Sequence, residues 1–234
     1  MRKGDETKQE ILRIAEKLFC SAGYEATSVQ SILDVLHASK GGFYHHFASK
    51  EDVLRTICST HAIGTSERMR RLASEIGDPL ARLDRLLQEM VPLRMENLAF
   101  MSMLIPILDR PESASMRDAW QEALFSACRD VLERAVRDCR EAGIIQPVAN
   151  DVIRPVTALI GQYCQDVSML ILNDARARRR TQPAELIEIL TTYRRSLEAI
   201  LDAPFGSLNL ITLEEVSAFA EEASRRVAAG SPVG

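Results

Sequence analysis

Residues 27–50, TSVQSILDVLHASKGGFYHHFASK, hold two short helical patterns so close together that only a tight turn can join them. Thr27 is placed to cap the first, with Gln30 three residues on to complete a capping box. Val29, Ile32, Leu33 and Leu36 then recur at helical spacing. His37 and Ala38 make the turn, with His37 in the left-handed conformation that costs any other residue more than glycine, and Ser39 caps the second helix. From Val35 to Lys50 there is no acid, but there are two lysines and three histidines. This is the arrangement of a helix-turn-helix, in which one helix braces across a nucleic-acid backbone and the second presents its N-terminal half to the major groove.

The rest of the chain narrows the setting. At 234 residues it is long enough for one large or two modest domains, and 46% hydrophobic with 26% charged residues is ordinary for a globular protein. The β-branched runs expected of strands are missing, so the predicted class is all-α. No apolar run reaches the roughly 18 residues of a membrane span, and Met1 to Glu6 leads into no apolar signal region. Five cysteines without a Cys-x-x-Cys pair fit a reducing compartment, and together these features predict a cytoplasmic protein without a membrane partner. The net charge of −4 argues against general coating of nucleic acid. Through Thr60 eight basic residues balance eight acidic ones, so the deficit lies beyond, and a local positive face remains available. No nucleophile, acid–base pair or metal-ligand spacing stands out, so no catalytic residue, metal or cofactor is expected.

The segment resembles the DNA-binding motif of the tetracycline-repressor (TetR/AcrR) family of bacterial transcription regulators. The likeness rests on Thr27-Ser28-Val29, on Ser39 through Phe47, and on Ser49-Lys50-Glu51-Asp52, and is strong over about residues 8–58. Two departures stand out: His37 where the family usually has glycine, and Leu33 where it has a small residue. The resemblance implies that Thr27, Ser28, Ser39, Lys40, Gly41, Gly42, Tyr44, His45 and Lys50 meet DNA. Placement supports two of these directly, because Lys40 and Lys50 open helices whose N-terminal amides also favour phosphate. Gly41 and Gly42 cost helix propensity, so their use must be close approach, of backbone to DNA or of helix to helix. Phe43 and Phe47, four apart, read as core.

Gly77-Asp78-Pro79 is the best linker, dividing a helix-turn-helix domain (1–60, with a connecting helix to about 76) from a second helical domain (77–234). Helices are predicted there at about 80–98, 113–142, 152–173, 183–202 and 213–229, with a broken segment at 101–108 around Pro106. Met90, Met95, Met101 and Met103 gather with Phe100, Leu104 and Trp120, and with Tyr163 on a later helix they form a candidate pocket for a small, mainly apolar effector. Ordinary core packing would use the same methionines. Leu159, Ile160, Tyr163, Val167, Leu186, Leu190, Tyr193 and Leu197 offer more apolar surface than two helices need for each other, and the resemblance implies a four-helix homodimer interface from them. The resulting expectation is a ligand-responsive transcriptional regulator, a repressor released from a palindromic double-stranded DNA operator by that effector. The alternative is a helical regulator without a small-molecule effector, such as a protein–protein adaptor or an activator.

Overall fold

Ten α-helices follow one another without a strand among the described residues of the computed structural model, which are 3–110 and 113–230. α1 (Lys3–Ala22) buries Ile11, Ala15 and Phe19 on one stripe. It ends at Gly23, whose φ of +89° only glycine adopts without strain. α2 (Val29–Leu36) is capped one residue later than its sequence suggests. Ser28 accepts from the Ser31 backbone N–H, and the Ser31 hydroxyl accepts from the Ser28 N–H, so Ser28 and Ser31 form the capping box. Thr27 and Gln30 do neither: the Thr27 hydroxyl donates back to the Gly23 carbonyl, and Gln30 bonds Asp34. The turn takes the expected left-handed residue at His37, with φ of 52°, and Ala38 N–H reaches the Leu33 carbonyl to close the helix end.

α3 (Lys40–His46) is capped by Ser39, and α4 (Lys50–Glu75) by Ser49, which accepts from the Asp52 N–H while Asp52 accepts from Ala48. α4 is the spine. It packs on α1, on α5 (Pro79–Glu89) and most extensively along α7 (Ala114–Glu141). The Gly77-Asp78 junction is short, with Asp78 capping α5 and Pro79 at its first position. One continuous apolar core therefore runs from Ile11 through α4 to the C-terminal helices.

The single helix expected over 80–98 stops short of its expected end. α5 ends at Glu89 because Pro92 has no N–H to extend the ladder; a 3-10 turn at Met95–Asn97 then leads into α6 (Leu98–Leu108). α6 in turn runs unbroken through Pro106, where the chain forgoes the one backbone bond that proline cannot donate and ends two residues later. α8 (Ile153–Arg176) packs on α7, α9 (Pro183–Leu201) and α10 (Leu213–Gly230), and α10 also covers α6. Thr212 and Glu215 form the expected capping box of α10.

Candidate nucleic-acid interface and adjoining cleft

The outer face of α3 is set by what its inner face buries. Phe43 and Phe47 are 0% and 2% exposed, and that rotation turns Ser39, Lys40, Gly41, Tyr44 and His45 to solvent. Tyr44 is 57% exposed, a large aromatic left unburied beside a free lysine. The glycines now have a narrower meaning. A Cβ on Gly41 would meet only Ser39 Oγ, at 4.0 Å, and one on Gly42 the same atom at 3.5 Å. No neighbouring helix requires glycine there, so close helix–helix approach is excluded and the open side faces outward. Ser28 is also exposed, at the start of α2.

Two residues expected at the DNA surface are placed elsewhere. Thr27 is 2% exposed and turned inward onto Gly23, so its side chain is out of reach of an outside partner. Lys50 is half-buried: its ammonium donates to the carbonyls of Tyr24 (2.8 Å) and Thr27 (3.0 Å) and lies 4.1 Å from the centre of the Tyr24 ring. Burial draws its pKa below the ordinary lysine value. The Tyr24 carbonyl also accepts from the Thr27 N–H, whereas the Thr27 carbonyl takes its donor from Lys50, so the ammonium is engaged within the protein. Lys40 remains the exposed cation of the motif.

A cleft opens between α6, α7 and α8, with about 780 Å³ of space between its walls, mouth included. Met90, Met101 and Trp120 line it as the sequence suggests, together with Ile105, Leu124 and Ile160. The other candidates do not. Met95 is 52% exposed on the 3-10 turn; Met103 and Leu104 lie on other faces of α6; Phe100 stacks on His61 outside the cleft; Tyr163 is fully buried against Tyr193. The reason is rotational phase. At 100° per residue, Met101, Ile105 and Leu108 share one side of a helix that is apolar all round, and its remaining sides are covered by α1 and α10. Pro92, Asp109, Arg117, Gln121, Thr157, Gly161, Cys164, Gln165, Ser168 and Met169 complete the walls, and helical periodicity singles out none of the polar ones.

Of the residues assigned to a dimer face, five are inside the protomer. Ile160, Tyr163, Val167, Leu186 and Leu197 are at most 2% exposed, because α7 and α10 already cover that side of α8 and α9. Leu159, Leu190 and Tyr193 stay half-exposed, and Tyr193 donates to Asp166. Ile187, on α9 as well, is 45% exposed, and helical spacing alone does not single it out.

Polar and aromatic contacts tie α1, the α1–α2 connection and α4 to the helices around the cleft. Glu16 on α1 bonds His61 on α4 at 2.7 Å; His61 stacks on Phe100 of α6 at 3.8 Å; Phe100 meets Trp120 of α7 at 5.9 Å. Arg110, next to the cleft residue Asp109, pairs with Glu25 between α1 and α2. Arg55 on α4 reaches Ser115 at the start of α7. All five cysteines are free thiols.

Residues 11–57 match the family model described as bacterial regulatory proteins, tetR family. The chain is 32% identical over 72 residues to the HTH-type transcriptional regulator YerO of Bacillus subtilis, and 34% identical over 77 residues to the HTH-type transcriptional repressor KstR2 of Mycobacterium tuberculosis. These matches take in 31% and 33% of the chain, and only 25% and 38% of the two relatives' lengths. The crystal structure of a TetR-family transcriptional regulator from Pectobacterium atrosepticum superposes on 87% of the chain and 99% of its own, with a TM-score of 0.61 at 18% identity. At that identity the likeness is one of fold.

Proposed function

Because the chain belongs, through residues 11–57, to the tetR family of bacterial regulatory proteins, we propose that it is a homodimeric repressor whose hold on a palindromic operator is relieved by a small, mainly apolar molecule bound in the α6–α8 cleft. The observation that carries the DNA half is the outer face of α3. Lys40, Tyr44 and His45 are exposed there, with Ser39, whose hydroxyl accepts from the Gly42 N–H and keeps its proton to donate, beside two glycines that nothing inside the protein needs. Ser39, Tyr44 and His45 offer hydrogen bonds to phosphates or base edges, Lys40 offers charge, and Gly41 lets the backbone come close. In a symmetric dimer two such helices would have to stand about 34–36 Å apart, one turn of DNA.

The release half rests on the cleft and on the contacts that join its helices to α1, α4 and the α1–α2 connection. A ligand lowers DNA affinity only by its preference for one arrangement of the protein over another. Parting α6 from α7 would disturb Phe100, Trp120 and Arg110, and through His61 and Glu25 the seat of the α2–α3 unit. The repressor sign follows KstR2, the relative that carries that description.

A gel shift with DNA flanking the chain's own gene, in excess random DNA, tests this reading. Retardation by wild type and its loss in Lys40→Ala with Tyr44→Ala are the expected results. Equal affinity for flanking and random DNA would overturn the operator assignment.

A further inference from the structure

The polar groups of the α6–α8 cleft divide into those already satisfied and those that are not. Asp109 is ion-paired with Arg176 at 2.8 Å. Arg117 donates to the carbonyls of Leu108 (2.6 Å) and Arg110 (2.9 Å), closing the end of α6. Both charges in the wall are thus held by the protein itself. Gln121 on α7 and Gln165 and Ser168 on α8 differ: each lines the cleft, and none of these three side chains makes a hydrogen bond to another described residue. Gln121 lies against α8 at Gly161, where a Cβ would stand 3.1 Å from Nε2 and 3.4 Å from Cδ. Glycine at 161 leaves the space that the Gln121 amide occupies. Gln121 and Thr157 also border a second cavity lined by Asp118, Glu122 and Arg154, so this amide stands where the apolar interior meets a polar antechamber.

We propose that the cleft is selective for an uncharged, mainly apolar molecule carrying a hydrogen-bonding oxygen of the ketone or alcohol class. Its apolar body lies against Met101, Ile105, Trp120 and Leu124, and its oxygen on Gln121 and Gln165. The proposal rests on reading the cleft as the effector site. An anion entering here would face Asp109 and find Arg117 engaged with backbone carbonyls. A cation would have to take Asp109 from Arg176. Either would give up its hydration without a free counter-charge in return, whereas a neutral oxygen gives up little and meets an amide able to donate or accept. Gly161 and Gln121 then act together as specificity determinants: one makes the room, the other reads the oxygen.

Trp120 is the sole tryptophan and lines the cleft, so its emission reports occupancy. The full chain is titrated at pH 7.5 with 2-decanone, decanoate and decylammonium, which share length and lack absorbance at the tryptophan band. 2-Decanone is expected to act at a concentration at least about tenfold below either ion. Gln121→Leu or Gln165→Leu should weaken it about fivefold, the loss of one hydrogen bond. Gly161→Ala, which displaces the Gln121 amide, should do the same, with circular dichroism confirming that each variant is folded. Decanoate or decylammonium binding as tightly as the ketone overturns the proposal, as does unchanged ketone affinity in both glutamine variants. Silence of all three compounds also overturns it, and if such a protein still shifts its operator the DNA-binding reading stands. Failure of the untreated protein to bind DNA would instead remove the reading underneath.

Discussion

The α2–α3 unit and the α6–α8 cleft use the same residue types to opposite ends. In the first, aromatic side chains Phe43 and Phe47 are buried so that a polar edge and two glycines face out. In the second, Trp120, Met101 and Ile105 surround a space, and Gly161 opens inward onto Gln121. Glycine leaves backbone free for an outside partner in one case and leaves internal room in the other. What the difference teaches is that exposure of the surrounding wall, and not the glycine, decides which use is made of it.

The sharpest way to break this comparison is to ask whether the outward face works alone. If two α3 helices must act together, Leu190→Glu, on the half-exposed side of α9, should give soluble monomers. An unpaired charge in a buried interface costs several kcal/mol, so operator affinity should fall by about two orders of magnitude or more. Sedimentation and gel shift check both. A dimer with normal affinity would move the interface off this face. Ile160→Glu is a different experiment, since Ile160 is 2% exposed and walls the cleft, and it should unfold the protein or abolish ligand binding.

The cleft side is sharpened by its thiol. Burial raises the Cys164 pKa to about 12 and that of Cys20, on α1, to about 11, from the ordinary 9.0. Raised pKa values mean less thiolate at neutral pH, and thiolate is the reactive form. Alkylation at pH 8 should therefore run about a hundredfold or more below a free thiol for both residues, rising tenfold per pH unit up to the shifted values. Mass spectrometry after iodoacetamide reads this residue by residue. Rapid labelling of Cys164 that a bound ketone does not suppress would mean that the cleft wall opens widely in solution.

Legibility in the sequence follows the range of the forces involved. The turn at His37, the caps at Ser39 and Ser49 and the buried Phe43 and Phe47 all depend on neighbours within four residues, and they are readable. Even there, one residue of slippage moves the α2 cap from Thr27 to Ser28, because two adjacent hydroxyls compete and Thr27 is drawn inward by the Gly23 carbonyl. Lys50 shows where local reading ends. Its partners are carbonyls 23 and 26 residues away, and no spacing rule points to them. The cleft is harder still. Periodicity says that α6 is apolar, but which of Met101, Met103 and Leu104 faces space depends on how four helices are turned against one another.

The two lysines turn that lesson into a measurement. Lys40→Ala should weaken specific and random DNA binding alike, by about tenfold, and lower the salt slope of log K by about one unit for each phosphate that its ammonium neutralises. Lys50→Ala should leave the slope unchanged and lower the melting temperature, because it takes the donor from the Thr27 carbonyl and one of two donors from the Tyr24 carbonyl. A reduced slope in Lys50→Ala would return that residue to the phosphate interface.

The smallest expected effect carries opposite signs in two assays. Gly41 lies inside α3, and a Cβ there would meet nothing nearer than Ser39 Oγ at 4.0 Å. Alanine is favoured over glycine within helices by up to about 1 kcal/mol, partly through the unfolded chain. Gly41→Ala should thus raise the melting temperature of the free protein by about 2–4 °C if the full amount is realised. The same methyl group projects from the exposed face of the motif, where the backbone would approach DNA. Operator affinity should then fall several-fold while stability rises. Gain in both would show that DNA stays clear of Gly41 and that contact is made further along, at Tyr44 and His45. Loss in both would mean that α3 needs the glycine for its own conformation, which the open space around it in the structure argues against.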